Sequence, residues 1–155
     1  MPADRARIDP RGPRFGAGIT AVLVLIDLFL ALTGSGVAAT ALLAAICAVF
    51  AWGAFAGVER HPYGALFKRV VRPRLAPPTE LEEAAPPTFA QGVGFVITLI
   101  GVALGAFGLT PGLAVFAAMA FIAAFLNSVF AYCLGCQIYL LLVRAGILGR
   151  GSATA

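Results

Sequence analysis

Two long stretches of this chain carry almost no charge, and that pattern constrains the fold more than any other feature. Between Phe15 and Val58 the only charged side chain is Asp27, and between Ala84 and Val143 there is none. Each block is long enough for two helices of ~20 residues, the length that crosses a hydrocarbon core ~30 Å thick. Composition agrees. Hydrophobic residues make up 61% and charged residues 12% of the 155, against roughly 45–50% and about 25% in soluble domains. A soluble domain of this length has too little interior to hide so much apolar surface. The lipid bilayer is therefore the first expected partner. The apolar runs are continuous and lack the two-residue alternation of a barrel strand, and a helix satisfies its own backbone within one segment.

The expected fold is all-α: a polytopic membrane protein of four transmembrane helices in two hairpins, forming a single domain over 1–155. The spans fall at about 16–33, 37–58, 89–109 and 113–143. An arm covers 1–15, a long proline-rich loop 59–88 and a tail 144–155. Thr33-Gly34-Ser35-Gly36 and Thr110-Pro111-Gly112 read as tight uncharged turns. A cleaved signal peptide is not expected. The run Gly16–Thr33 is longer than the ~7–15 apolar residues of a signal, and no small-residue cleavage site follows it directly.

All 11 Lys and Arg residues sit in three places: four in the arm, five in the long loop and two in the tail. The positive-inside rule then puts arm, loop and tail in the cytoplasm, and the protein in a bacterial plasma (inner) membrane with both termini inside. The net charge of +4 follows from this flanking pattern and is no nucleic-acid footprint. The last apolar segment, Leu113 to Val143, has 31 residues, or ~46 Å as a straight helix. It must tilt, project or break. The favoured solution is a bend near Gly135.

Cys133-Leu134-Gly135-Cys136 is the motif with most chemistry. On a helix, residues three apart share a face with Cβ atoms ~5–6 Å apart, close to disulfide reach. Such a pair can cycle between dithiol and disulfide, or two cysteines can simply pack as small apolar residues. Covalent haem attachment would need a His where Gln137 stands. A zinc or iron–sulfur site needs about four ligands, and only Cys47 and His61 remain. Neither a cofactor nor a metal is expected.

Asp27 is the second singular residue. A carboxylate mid-span costs about 2.5–3.5 kcal/mol on insertion scales, which makes it a candidate proton partner for the thiols. The alternative is a buried Asp bonded to Asn127, Ser128 or a backbone carbonyl. Asn127, Ser128 and Gln137 are candidates for interhelical hydrogen bonds or for lining a polar cavity. Gly53-x-x-x-Gly57 and Gly101-x-x-x-Gly105 are small-residue packing faces, inside the bundle or in a homo-oligomer. His61, beside Pro62, reads as structural. In the loop, a basic half is suited to anionic head groups or to a soluble partner, and an acidic half follows it.

A set of short motifs in fixed order carries a resemblance. They are Asp9-Pro10-Arg11-Gly12-Pro13-Arg14-Phe15, Pro62-Tyr63-Gly64, Arg72-Pro73-Arg74-Leu75 with Pro77-Pro78, Pro86-Pro87 with Phe89-Ala90-Gln91, and Asn127-Ser128-Val129-Phe130 leading to the cysteine pair and Tyr139. Over about positions 8 to 144 the chain resembles an uncharacterised bacterial membrane family, domain of unknown function 4395, common in actinobacteria. Thr88 departs from the basic residue expected there. The resemblance implies an integral membrane protein and no established activity. It also implies gene neighbours of thioredoxin-like and sulfurtransferase type.

Three function classes follow. The leading one is a membrane thiol–disulfide or sulfur-relay protein in which Cys133 and Cys136 exchange with a cytoplasmic thioredoxin-like or rhodanese-like partner. This requires a sulfur that the partner can reach. The second is a small transporter or accessory subunit for a sulfur compound, with Asp27, Asn127 and the cysteines along a polar path. The third is a structural or assembly subunit in which the cysteines only pack.

Overall fold

The computed structural model describes residues 6–148; the first five residues of the arm and the tail from 149 onward lie outside them. Four long apolar helices dominate: α1 (Arg11–Leu32), α2 (Gly36–Ala56), α4 (Ala85–Ala106) and α5 (Thr110–Phe130). All four are long and apolar enough to cross a membrane. Two short helices complete the set, α3 (Pro62–Leu66) in the long loop and α6 (Leu134–Arg144) after α5. The all-α polytopic fold expected from the charge pattern is the one found.

The helices extend past the apolar runs where the sequence allows it. Prolines fall in the first turns of α1, α4 and α5, where a missing N–H leaves no helical bond unmade. This explains a shift at the second hairpin. Thr110-Pro111-Gly112 does not form the turn but opens α5, and the turn is Phe107-Gly108-Leu109. Gly108 supplies the positive φ there (76°), as Gly34 does in the first turn (87°), a conformation glycine adopts without steric cost.

The four long helices form an up-down-up-down ring in which α1 packs on α2 and α5, and α4 packs on α2 and α5. Both tight turns meet at one end, hereafter the turn end; there Gly36 fits against Thr110 so closely that a Cβ would run into the hydroxyl. The described part of the arm, the long loop and α6 gather at the opposite, loop end. The core between the helices is built from Val24, Ala31, Ala39, Leu43, Ile46, Leu113, Ala117 and Ala120. Gly101 and Gly105 of α4 form the floor against which Leu43 of α2 and Leu113 of α5 pack. That small-residue face is therefore used inside the bundle. Outward, large apolar side chains such as Phe29, Val37, Phe55 and Val115 are more than half exposed, an arrangement that lipid favours and water does not.

At the loop end, backbone irregularity replaces smooth helix. Arg7–Ile8 (β1) pairs antiparallel with Glu82–Glu83 (β2), tying the arm to the loop. Arg11 holds Asp9 in a 2.8 Å ion pair and donates to the Ala76 carbonyl at 3.1 Å. Hydrogen bonds from the Arg11 side chain keep the Asp9 carboxyl below the ordinary carboxylate range. After α3 the chain winds through a π-helical turn (Phe67–Val71) and a 3-10 turn (Arg72–Arg74). Phe67 is buried and stacks at a tilt on Phe15 at the start of α1.

Candidate functional site

Of the three ways to accommodate its length, the last apolar segment breaks, a few residues before Gly135. α5 ends at Phe130, and Ala131 takes a left-handed conformation (φ 56°, ψ 27°). Tyr132 N–H donates to the Leu126 carbonyl at 3.1 Å, closing the end of α5. Cys133 is extended (φ −87°, ψ 103°) and begins α6 as its N-cap. Gly135 serves another purpose. It is buried in the first turn of α6, and a Cβ there would collide with the Cα and Cβ of Ala90. The glycine thus lets α6 press against α4 and fixes the height of the cysteine pair.

Among the described residues the break holds the single positive φ outside glycine. An L-residue in that conformation costs about 1–2 kcal/mol. Strain of this kind persists only where its surroundings enforce it, and it clusters at sites of function.

Cys133 and Cys136 are joined as a disulfide, with Cα atoms 5.2 Å apart. Cys133 Sγ also accepts a hydrogen bond from the Cys136 N–H at 3.3 Å. This is the bond a Ser or Asp side chain makes at an N-cap, here made by sulfur. Both cysteines are partly exposed. The pair therefore sits at a helix N-terminus, where partial positive charge favours a thiolate, and outside the closed core.

Asp27 lies elsewhere. It is fully buried on the same face of α1 as Val24 and Ala31, and neither carboxylate oxygen has a hydrogen-bond partner. Gly18 marks the level of Ser128, whose hydroxyl a Cβ on Gly18 would strike. Asp27 is nine residues further along α1, ~13 Å toward the turn end. Cys133 follows Ser128 toward the loop end. The structure does not bring Asp27 together with the pair, nor does it bond Asp27 to Asn127 or Ser128. Asn127 and Ser128 are half-buried on α5, and Gln137 is exposed on α6. Cys47, the third cysteine, is buried in α2 and donates to the Phe95 carbonyl at 3.8 Å. Among the described residues no cluster of three or more His, Cys, Asp or Glu could hold a metal ion.

Two features bring together residues that the motifs name separately. The first is a groove of about 700 Å³ between α6, the start of α4 and the chain after α2. Tyr139, Leu140 and Val143 line it, and they stand three, four and seven residues after Cys136, on the same helix face. Phe89 closes it from α4, its ring 5.6 Å from that of Tyr139, and Glu59 and Glu83 lie at its rim. The groove continues from the disulfide and does not contain it. The second feature is a polar cluster under the loop. His61 is 6% exposed, and its Nδ1 accepts the Tyr63 N–H at 3.2 Å. Burial holds the imidazole pKa below its usual value, and the neighbouring Gln91 amide opposes this in part. Gly53 makes room for both side chains; a Cβ there would meet each.

Residues 8–144 match the model of a family described as Domain of unknown function (DUF4395). The chain belongs to that family. The DUF4395 match begins in β1 and ends at the last residue of α6. It therefore includes the helix break and the disulfide, over the same span the short motifs marked. No curated protein and no solved structure matches the chain.

Proposed function

We propose that this DUF4395 protein is a thiol–disulfide or sulfur-relay protein of the bacterial plasma membrane, with its loop end in the cytoplasm. The observation that carries the reading is the placement of the Cys133–Cys136 disulfide. It caps a helix N-terminus at a strained break, and it is partly exposed rather than enclosed mid-bundle.

The exchange runs as follows. A thiolate of a soluble partner attacks Cys136 Sγ, forming a mixed disulfide and releasing Cys133 as thiolate. The Cys136 N–H and the N-terminus of α6 stabilise that leaving group. The partner's second thiolate then attacks the partner sulfur of the mixed disulfide, and Cys136 leaves. The partner ends oxidised, and two electrons and two protons have passed to the pair. A thioredoxin-like protein supplies the two thiols that this exchange consumes. The groove along Tyr139, Leu140 and Val143 offers such a partner a surface next to Cys136. The orientation rests on the described cationic side chains of arm, loop and α6, which gather at the loop end.

Alkylation trapping in intact cells tests both parts. Membrane-permeant and impermeant thiol reagents are applied with and without prior reduction, and the labelled cysteines are counted. The expected result is a pair that cycles with the cellular thiol poise and that only the permeant reagent reaches. Thiols that stay inert after reduction would remove the exchange chemistry, and labelling by the impermeant reagent would reverse the orientation.

A further inference from the structure

The long loop carries a feature that the thiol chemistry does not use. From α3 through the π-helical and 3-10 turns, Tyr63, Phe67 and Val71 turn inward, four residues apart. Tyr63 packs beside Gly16, and Phe67 beside Gly12, where the apolar run of α1 begins. This seats the segment against the first turns of α1, where a span entering a bilayer would meet the head groups. Its outer side is mixed. Leu66 and Val70 are 45% and 43% exposed and lie one turn apart. Lys68 and Arg72 lie on the opposite flank of the segment, and Arg69 and Arg74 are exposed as well. A groove of about 380 Å³ opens beside Lys68 and Arg72, walled by Pro73, Leu75, Pro77 and Pro78, and no carboxylate lines it. Arg72 also faces Asp9, but the Asp9 carboxylate is already taken by Arg11.

We propose that this surface is a binding site for the phosphate head group of an anionic phospholipid, with Lys68 and Arg72 holding the phosphate in the groove. Leu66 and Val70 dip below it toward the acyl chains. A segment with apolar side chains on one flank and cations on the other lies in the interface plane, and each cation near an anionic surface adds attraction. An acidic soluble partner would want the cations without two exposed aliphatic side chains at bilayer height. The proposal does not depend on the disulfide.

The test uses the full chain in neutral detergent. Its thermal unfolding is followed against short-chain phosphatidylglycerol, short-chain phosphatidylcholine or inorganic phosphate. Phosphatidylglycerol is expected to raise the unfolding temperature at a concentration about tenfold lower than phosphatidylcholine does. High salt should erase the preference, and inorganic phosphate should not reproduce it. The Lys68→Gln/Arg72→Gln variant should lose about tenfold in apparent affinity for phosphatidylglycerol. Lys68→Gln/Arg69→Gln, which leaves the Asp9 neighbourhood untouched, should weaken it by a smaller factor. Equal response to both lipids, a full response to inorganic phosphate, displacement by poly-glutamate at equal charge, or an unchanged preference in both variants would overturn the site.

Discussion

The two ends of the bundle solve the same problem in opposite ways. At the turn end each hairpin reverses through a three-residue turn with one left-handed glycine, and small residues let the helices close over fully buried Ala39 and Leu113. At the loop end the chain departs from regular helix repeatedly. It uses a two-stranded sheet, 3-10 turns at Val58–Arg60 and Arg72–Arg74, a π-helical turn and a left-handed alanine. A buried imidazole and a disulfide hold these pieces in place. Tight turns need only glycine. Irregular backbone needs side-chain partners, and those partners bring chemistry with them. Close packing and the disulfide are thereby separated along the bundle axis, and substitutions at the two ends should separate their effects experimentally.

The largest effect is expected at the turn end. Leu113 is 0% exposed and packs against Gly105. Leu113→Ala should destabilise the folded chain by about 2–5 kcal/mol, read from unfolding in mixed micelles, while the surviving folded fraction keeps its Cys133–Cys136 disulfide. Loss of the disulfide in folded Leu113→Ala protein would break the separation of the two ends. Next comes Gly135→Val. The added side chain meets the α4 backbone at Ala90, so α6 must lift away. The expected cost is about 1–3 kcal/mol, with faster reduction of the disulfide by a small thiol as the pair loses its support. Unchanged stability and unchanged reduction rate together would show that α6 docking does not hold the pair.

The difference between the ends also accounts for what the sequence made legible. The long helices were plain because a span of lipid forbids charge over ~20 residues, and Asp27 stood out for the same reason. The hairpin turns were placed to within a few residues; the second moved because Pro111 suits a first helical turn as well as it suits a loop. The break after α5 was sought at Gly135, the residue that breaks helices by itself. It falls instead at Ala131, an ordinary helix former that no propensity would single out. Gly135 is used instead where α6 docks on Ala90 of α4. Asp27 reads from the sequence as a candidate proton partner for the cysteines, because a lone mid-span carboxylate is costly. With the break in place they occupy different levels. The groove along Tyr139 is made of residues from three distant parts of the chain, and no local pattern announces it.

A smaller effect is expected at Cys133, where two substitutions part capping from redox chemistry. Cys133→Ser removes the disulfide and keeps an oxygen that can accept the Cys136 N–H. Cys133→Ala removes both. Relative to reduced wild type, Cys133→Ala should lose about 0.5–2 kcal/mol through the missing cap, and Cys133→Ser should lose almost nothing. Both should be equally dead in thiol exchange with a soluble dithiol. Equal stability of the two variants would show that the sulfur does not cap α6.

The smallest effect sharpens the comparison at its most local point. Ala131→Gly removes the Cβ that makes the left-handed conformation costly, a relief of about 1–2 kcal/mol, and adds chain entropy to the unfolded state worth roughly 0.5–1 kcal/mol. The net expectation is a stabilisation of at most about 1 kcal/mol, measured as a shift in the unfolding midpoint. At the turn end the same residue type is already present, at Gly34 and Gly108, so Gly34→Ala should move stability in the opposite direction by a similar amount. If Ala131→Gly destabilises instead, the methyl group makes contacts worth more than the strain. The loop end would then be held by packing at that residue and not by the capped helix that follows it.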